Sequence, residues 1–184
     1  ESIVKKLKND GCEVSIDNMV EHLNDIAGIR IICSFMSDIY PIADMIARQA
    51  DITVLHVKDY IKYPKTNGYK SYHMVVTIPV YLSEGKRDTK VEIQIRTIAM
   101  DFWASLEHKI AYKFEGKAPD YLERELKSCA DMVDMLDMKM FSLNQAIMAV
   151  EEEERRVEEE KRRRAEALEN KAKVEEALAR IVGL

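Results

Sequence analysis

A mixed β-sheet flanked by helices, followed by one long helix, is the architecture that this 184-residue sequence predicts. Three observations predict it. The run IRIICSF at 29–35 is almost continuously apolar and β-branched, as a strand buried on both faces must be. Two further strand-like runs, 72–82 and 89–97, bracket a polar turn and read as a hairpin. After Pro119 no proline occurs, and helical spacing of apolar residues continues to the end. The class is therefore α/β, or α+β where the helices segregate from the sheet.

Taken in order, SIVKKLKNDG reads as a short helix with Ser2 as its N-cap and Gly11 just beyond its end. DNMVEHLN at 17–24 is a second short helix, and the strand 29–35 follows. SDIYPIADMIARQA, 37–50, has a serine cap, an acidic first turn and Ile39, Ile42, Ala43 and Ile46 at helical spacing, so it is expected as a crossover helix. DITVLHVKDYI, 51–61, is the next strand, and KYPKTNG is a polar loop whose Asn-Gly pair suits the positive φ of a tight reversal. The hairpin 72–82 and 89–97 is joined through SEGKRD, and AMDFWASLEHKIAYKF continues as a helix. A boundary is expected near residue 140, with 1–140 as the globular domain and 141–184 as a long charged helix suited to joining subunits. Residues 151–184 carry 9 basic and 11 acidic side chains, so this tail is not an RNA-binding arm.

Composition narrows the function classes. A net charge of −5 argues against a general nucleic-acid surface and leaves any polyanion site local. No apolar run approaches a membrane span and no signal-like segment opens the sequence, so a soluble, intracellular protein is expected. Cys12, Cys33 and Cys129 are odd in number, far apart and without CxxC pairing, which predicts buried thiols in place of a disulfide framework or zinc knuckle. The Met132, Met135, Met138 and Met140 series follows a helix and predicts core or subunit contact, and Phe102 and Trp103 predict packing.

The chemistry-bearing candidates sit near the strands. In VEIQIR, Val91, Ile93 and Ile95 point to one face while Glu92, Gln94 and Arg96 point to the other. A single such polar row is most simply a solvated face. Asp25, just ahead of the most apolar strand, and the loop carrying Lys65, Tyr69, Lys70 and His73 give the row a second meaning. If Asp25 and Glu92 meet, they offer the hard oxygen ligands that Mg²⁺ takes alongside substrate phosphates. Tyr69 can stack on a base or fill a local core, and the neighbouring cations can bind phosphate or solubilise the loop. His22, His56 and His108 have no ligand spacing and are expected to face solvent or sit satisfied in the core. Asp101 and Glu107 lie six apart on a helix, on different faces, so they do not form a carboxylate pair.

Three segments, DIAGIRIICSF, DYIKYPKTNGYKSYH and VEIQIRTIAMDFWASLEHKIAYKF, occur in this order. Together they resemble the synthetase domain of the RelA/SpoT-type alarmone enzymes, and most closely the stand-alone small alarmone synthetases of the RelQ type, over residues 1 to about 140. The resemblance implies a nucleotidyltransferase-like synthetase fold and a GTP pyrophosphokinase, which moves the β,γ-pyrophosphate of ATP to the 3′-hydroxyl of GDP or GTP in the stringent response. The implied cofactor is Mg²⁺, held by Asp25 and Glu92, with Glu92 activating the hydroxyl. Ser2, Lys6 and Arg30 would belong to ATP, Arg30 lying over the adenine. Lys65, Tyr69, His73 and Gln94 would belong to the acceptor, Tyr69 stacking on the guanine. Relatives carry a basic stretch ahead of the position of Ser2, so the ATP side is expected to be incomplete in the sequence as written. No His-Asp dipeptide occurs, so no hydrolase activity is expected. The resemblance further implies a cytoplasmic homotetramer joined through terminal helices, open to an allosteric alarmone or RNA. A catalytically silent nucleotide-binding regulator and an RNA-binding interaction protein are the competing classes.

Overall fold

The computed structural model describes residues 2–9, 11–83, 85–113 and 119–182. In chain order it contains α1 (Ser2–Asn9), α2 (Ile16–His22), β1 (Ala27–Cys33), α3 (Met36–Ala47), β2 (Thr53–Asp59), β3 (Tyr72–Leu82), β4 (Gly85–Thr97), α4 (Ile98–Lys113) and α5 (Asp120–Val182). The four strands form one sheet in the order β1-β4-β3-β2. β1 runs parallel to β4, whereas β4 with β3 and β3 with β2 are antiparallel. Helix α3 is the expected crossover, but it carries the chain from one edge of the sheet to the other and not to an adjacent strand.

The pleat sorts the sheet into two chemically distinct faces. Cys33, Met74, Val76, Val91, Ile93 and Ile95 turn toward α3 and pack with Ile39, Ala43 and Met100 into the main core. Ile39, Val76 and Ile95 are fully enclosed, and burial of such side chains contributes about 1.5–3 kcal/mol each. The opposite face is the polar one.

The strand expected to be buried on both faces is instead the edge strand β1, with Ile29 and Ile32 exposed, and several boundaries also differ from the expectation. β1 starts at Ala27, two residues early, and α3 is capped at Phe35, not at Ser37: the Asp38 carboxylate reaches back to accept the Phe35 amide at 3.0 Å. β4 begins at Gly85 and pairs it with Leu82, so Lys86, Arg87 and Asp88 are strand residues where a turn was expected. At its other end Thr97 closes β4 and opens α4, its hydroxyl accepting the Met100 amide at 3.2 Å.

A second, smaller cluster holds α5 against the sheet domain: Trp103, Ala104 and Ala130 are buried together, with Tyr69, Leu126 and Val133 against them. The Trp103 indole donates to the Leu126 carbonyl at 3.1 Å. Phe102, expected to pack, is 59% exposed, and of the three thiols Cys33 is buried while Cys129 is exposed. The reason is the same for both, since each lies on the side of its helix turned from these clusters.

By its internal contacts the chain divides into two units, Glu1–Met140 and Phe141–Leu184. In the second, α5 continues as a charged helix with ion pairs one turn apart, such as Arg164–Glu160 at 2.6 Å and Lys173–Glu169 at 2.6 Å. The methionines at 132, 135, 138 and 140 are exposed, so they do not belong to a core of this chain. Among the described residues no helix is long and apolar enough to cross a membrane.

Candidate active site

Strand register builds the site. Arg30 pairs with Gln94, Gln94 with His73, and His73 with Lys58, so four polar side chains form one row straight across all four strands. The adjoining row is Gly28, Glu92, Val75 and His56. Gly28 carries no side chain, which leaves the floor beside Glu92 open. The polar face of VEIQIR is thus the floor of a site and not a plain solvated surface. A cleft of about 250 Å³ lies over it, walled by His22, Asp25, His56, Lys58, His73 and Glu92 among others.

Within this floor the Glu92 carboxylate is fixed at both oxygens. Oε1 is 3.0 Å from His73 Nδ1, and Oε2 accepts from the Gln94 amide at 2.9 Å. Burial holds the His73 imidazole below its usual pKa of 6.5; Glu92 pulls it up, and Arg96 and Lys65 add to the lowering. Burial thus favours the neutral ring. Arg96, only 4% exposed, is the hub behind these groups. It donates to Ser71 Oγ at 3.2 Å, Asp101 Oδ1 at 3.1 Å, the Tyr69 hydroxyl at 2.6 Å and Gln94 Oε1 at 2.8 Å.

The loop NGYKSYH feeds this network one residue at a time. Gly68 takes φ +88 and closes a turn back to the Lys65 carbonyl. Asn67 accepts the Tyr69 amide at 3.1 Å and donates to Glu107 at 3.3 Å, tying the loop to α4. Tyr69 meets Arg96 and His73, Ser71 meets Arg96, and Tyr72 turns to the core face, edge-on to Tyr40. Lys70, grouped by sequence with the phosphate-binding cations, points elsewhere: it pairs with Asp134 of α5 at 2.5 Å and anchors the loop.

Of the residues singled out from sequence, Asp25, His73, Glu92 and Gln94 converge on one side. Lys6 forms an ion pair with Asp25, which brings α1 to the cleft rim. Arg30 lies on the same floor, half-exposed, its guanidinium 3.2 Å from Asp101. Lys65 sits over the Tyr69 ring at 4.7 Å from its centre and over Tyr60 at 5.0 Å. The side chain of Ser2 lies outside the described residues. Sequence reasoning missed Lys58, His56 and His22 as cleft residues and Arg96 and Asp101 as its framework. The alternation of β2 places Lys58 and His56 on one face and was the available signal for those two.

Asp25 and Glu92 fit Mg²⁺ in number and type. That ion is held by one or two carboxylates with waters and substrate phosphates completing an octahedron. Both carboxylates face the same cleft, and among the described residues no group of three or more His, Cys, Asp or Glu forms a closed all-protein cage.

Residues 1–117 match the family model described as a region found in RelA / SpoT proteins. The chain belongs to the RelA/SpoT family. It is 50% identical over 147 residues to the GTP pyrophosphokinase YwaC of Bacillus subtilis, spanning 80% of this chain and 70% of that relative. In structure it is similar to small alarmone synthetase 2 from Bacillus subtilis, with a TM-score of 0.72 at 49% identity over 79% of this chain and 75% of that one. It is likewise similar to small alarmone synthetase 1 from the same organism bound to its product pppGpp, with a TM-score of 0.74 at 36% identity over 79% and 73% of the two chains. The RelA/SpoT motifs and the polar floor coincide: DIAGIR opens β1, NGYKSYH forms the loop and enters β3, and VEIQIR is the C-terminal half of β4.

Proposed function

We propose that this RelA/SpoT-family chain is a GTP pyrophosphokinase that transfers the β,γ-pyrophosphate of ATP to the 3′-hydroxyl of GDP or GTP, giving ppGpp or pppGpp and AMP. The observation that carries the reading is the doubly held Glu92 carboxylate, set in a cleft with Asp25 and flanked by a row of cations and amides. A sugar hydroxyl is a poor nucleophile until a carboxylate accepts its proton. Glu92 takes that proton, the 3′-oxygen bonds to the β-phosphorus, and the bond from that phosphorus to the oxygen bridging the α- and β-phosphates breaks to release AMP. His73 and Gln94 keep the carboxylate aimed.

Phosphate charge must be met on the same face. Lys58 and Lys65 supply fixed cations near the acceptor side, and Arg30 and Lys6 do so on the donor side. Asp25 and Glu92 would hold Mg²⁺, which would supply further neutralisation of the phosphate charge. Tyr69 and Gln94 belong to the acceptor and Arg30 to the adenine. The Tyr69 ring can receive the guanine once Lys65 leaves its face. Exposed Met135, Leu136, Leu143, Ile147 and Val150 along α5 support assembly of the chain with copies of itself. The family resemblance extends the reading to a cytoplasmic tetramer that serves the stringent response.

The direct test is to mix the purified chain with labelled ATP, GTP and Mg²⁺ and separate the products. Labelled pppGpp with AMP is the expected result. Nucleotide binding without AMP formation would instead make the chain a silent regulator of the same fold.

A further inference from the structure

The Tyr69 hydroxyl is placed to do something its ring does not. Arginine has only donors, so the 2.6 Å contact from Arg96 makes the Tyr69 oxygen an acceptor. Its own proton is then free for its other partner among the described residues, His73 Nε2, at 2.8 Å. A nitrogen that accepts carries no proton, and the acceptor-only carboxylate of Glu92 calls for the ring N–H on Nδ1. That N–H faces Glu92 Oε1 at 3.0 Å. This assignment gives every contact one donor and one acceptor, and its order runs from Arg96 through Tyr69 and His73 to Glu92.

We propose that the Tyr69 hydroxyl, backed by Arg96, is a positioning group that locks His73 as its Nδ1–H tautomer and so orients Glu92 toward the acceptor hydroxyl. This rests on the reading of Glu92 as the base. The loop that receives the acceptor's base and the group that activates its sugar are then joined by two hydrogen bonds, so displacement of Tyr69 without an acceptor in place releases Glu92 from its aim. Lys65 stands over Tyr69, Lys58 is the neighbour of His73 on β2, and Arg96 lies behind. Asp25, His22 and His56 share the cleft wall, and Tyr60 meets the imidazole edge-on at 5.2 Å.

Tyr69→Phe isolates the hydroxyl, since the ring and its packing against Trp103 and Ala130 are kept. The variant is expected to keep its KM for GTP within about twofold while kcat falls about tenfold, a part of the roughly 10²–10⁴ that a positioned base contributes. Nitrogen-15 NMR of the ring should show His73 protonated at Nδ1 in the wild type and a mixture of tautomers in Tyr69→Phe. That signature would not move if the hydroxyl served packing alone. An unchanged kcat, or a wild-type His73 carrying its proton on Nε2, would overturn the proposal. A wild-type chain that makes no alarmone in the same assay would sink the activity itself, which separates the two failures.

Discussion

Gly68 approaches α5 so closely that a β-carbon on it would overlap the β-carbon of Ala130 and stand 3.1 Å from Lys127 Cδ. Its backbone is also left-handed, at φ +88. Two independent constraints therefore require glycine at the tip of the loop. Gly68→Ala should destabilise the fold by roughly 2–4 kcal/mol, the sum of a strained backbone and an overlapped methyl. Ala130→Gly in the same chain should recover the steric part only. A double-mutant cycle by thermal unfolding measures the coupling, and simple additivity would show that α5 yields at this point.

Glu92→Gln keeps the shape of the side chain and an oxygen for one neighbour but cannot accept a proton. Pyrophosphate transfer should fall by about 10²–10⁴ with Tm and nucleotide binding close to wild type. If turnover persists, the base is another group. On a merely solvated face the substitution would be silent.

Tyr69→Ala removes both ring and hydroxyl, unlike the phenylalanine variant. Loss of stacking is worth roughly 1–3 kcal/mol per base, so the KM for GDP or GTP should rise about 10- to 100-fold while that for ATP moves little. Arg30→Ala should show the opposite bias. Kinetics with each nucleotide varied in turn distinguish these outcomes. Equal damage to both substrates would make the loop a packing element.

Asp137 is a buried carboxyl whose pKa is raised above 3.8, chiefly by burial and further by Asp134, against the hydrogen bond from Thr97 and the charge of Lys70. A raised value means that the protonated form is favoured in the fold. That stabilisation is complete below the usual carboxyl pKa and is lost as pH rises through the raised one, so the ionised group is a cost at neutral pH. Asp137→Asn keeps an oxygen to accept from Thr97 Oγ1, which lies 2.6 Å from the carboxylate. The variant should be more stable at pH 7.5, by about 2–4 °C in Tm for each 1 kcal/mol recovered, and the gain should shrink in acid. A gain that does not vary with pH would point to packing instead.

Truncation after Val150 removes most of the second unit and part of the exposed apolar stripe of α5. Light scattering should report a smaller assembly than the full chain forms. An unchanged mass would place the contacts between copies elsewhere.

Much of this was legible in local sequence. The alternation of VEIQIR gave the two faces of β4 correctly, and the 72–82 run matches β3 at both ends. What sequence could not supply was which strands are neighbours. A parallel pair such as β1 with β4 has no turn to announce it, and so the alignment of Arg30, Gln94, His73 and Lys58 in one row was hidden. Partners of charged side chains were equally unreadable. Arg96 looked like one more polar residue on a strand, and Asp101 was weighed only against Glu107, whereas the fold gives Asp101 both Arg30 and Arg96. Phe102 and Cys129 failed for a related reason, since a hydrophobic or thiol side chain says nothing by itself about which side of a helix will be covered.

The pairing of Ala27 with Val91 also dictates an order of events during synthesis. The β3–β4 hairpin closes between neighbours in sequence, whereas β1 must wait for a partner that emerges from the ribosome after β2 and β3, and such non-local pairing is slow because loop closure precedes any reward. The nascent chain therefore carries β1 without a strand partner until β4 is complete. Asp25, just ahead of β1, comes to face Glu92 only once β4 has paired, so a chain stalled before Val91 holds Asp25, Lys58 and His73 but lacks Glu92, Gln94 and Arg96.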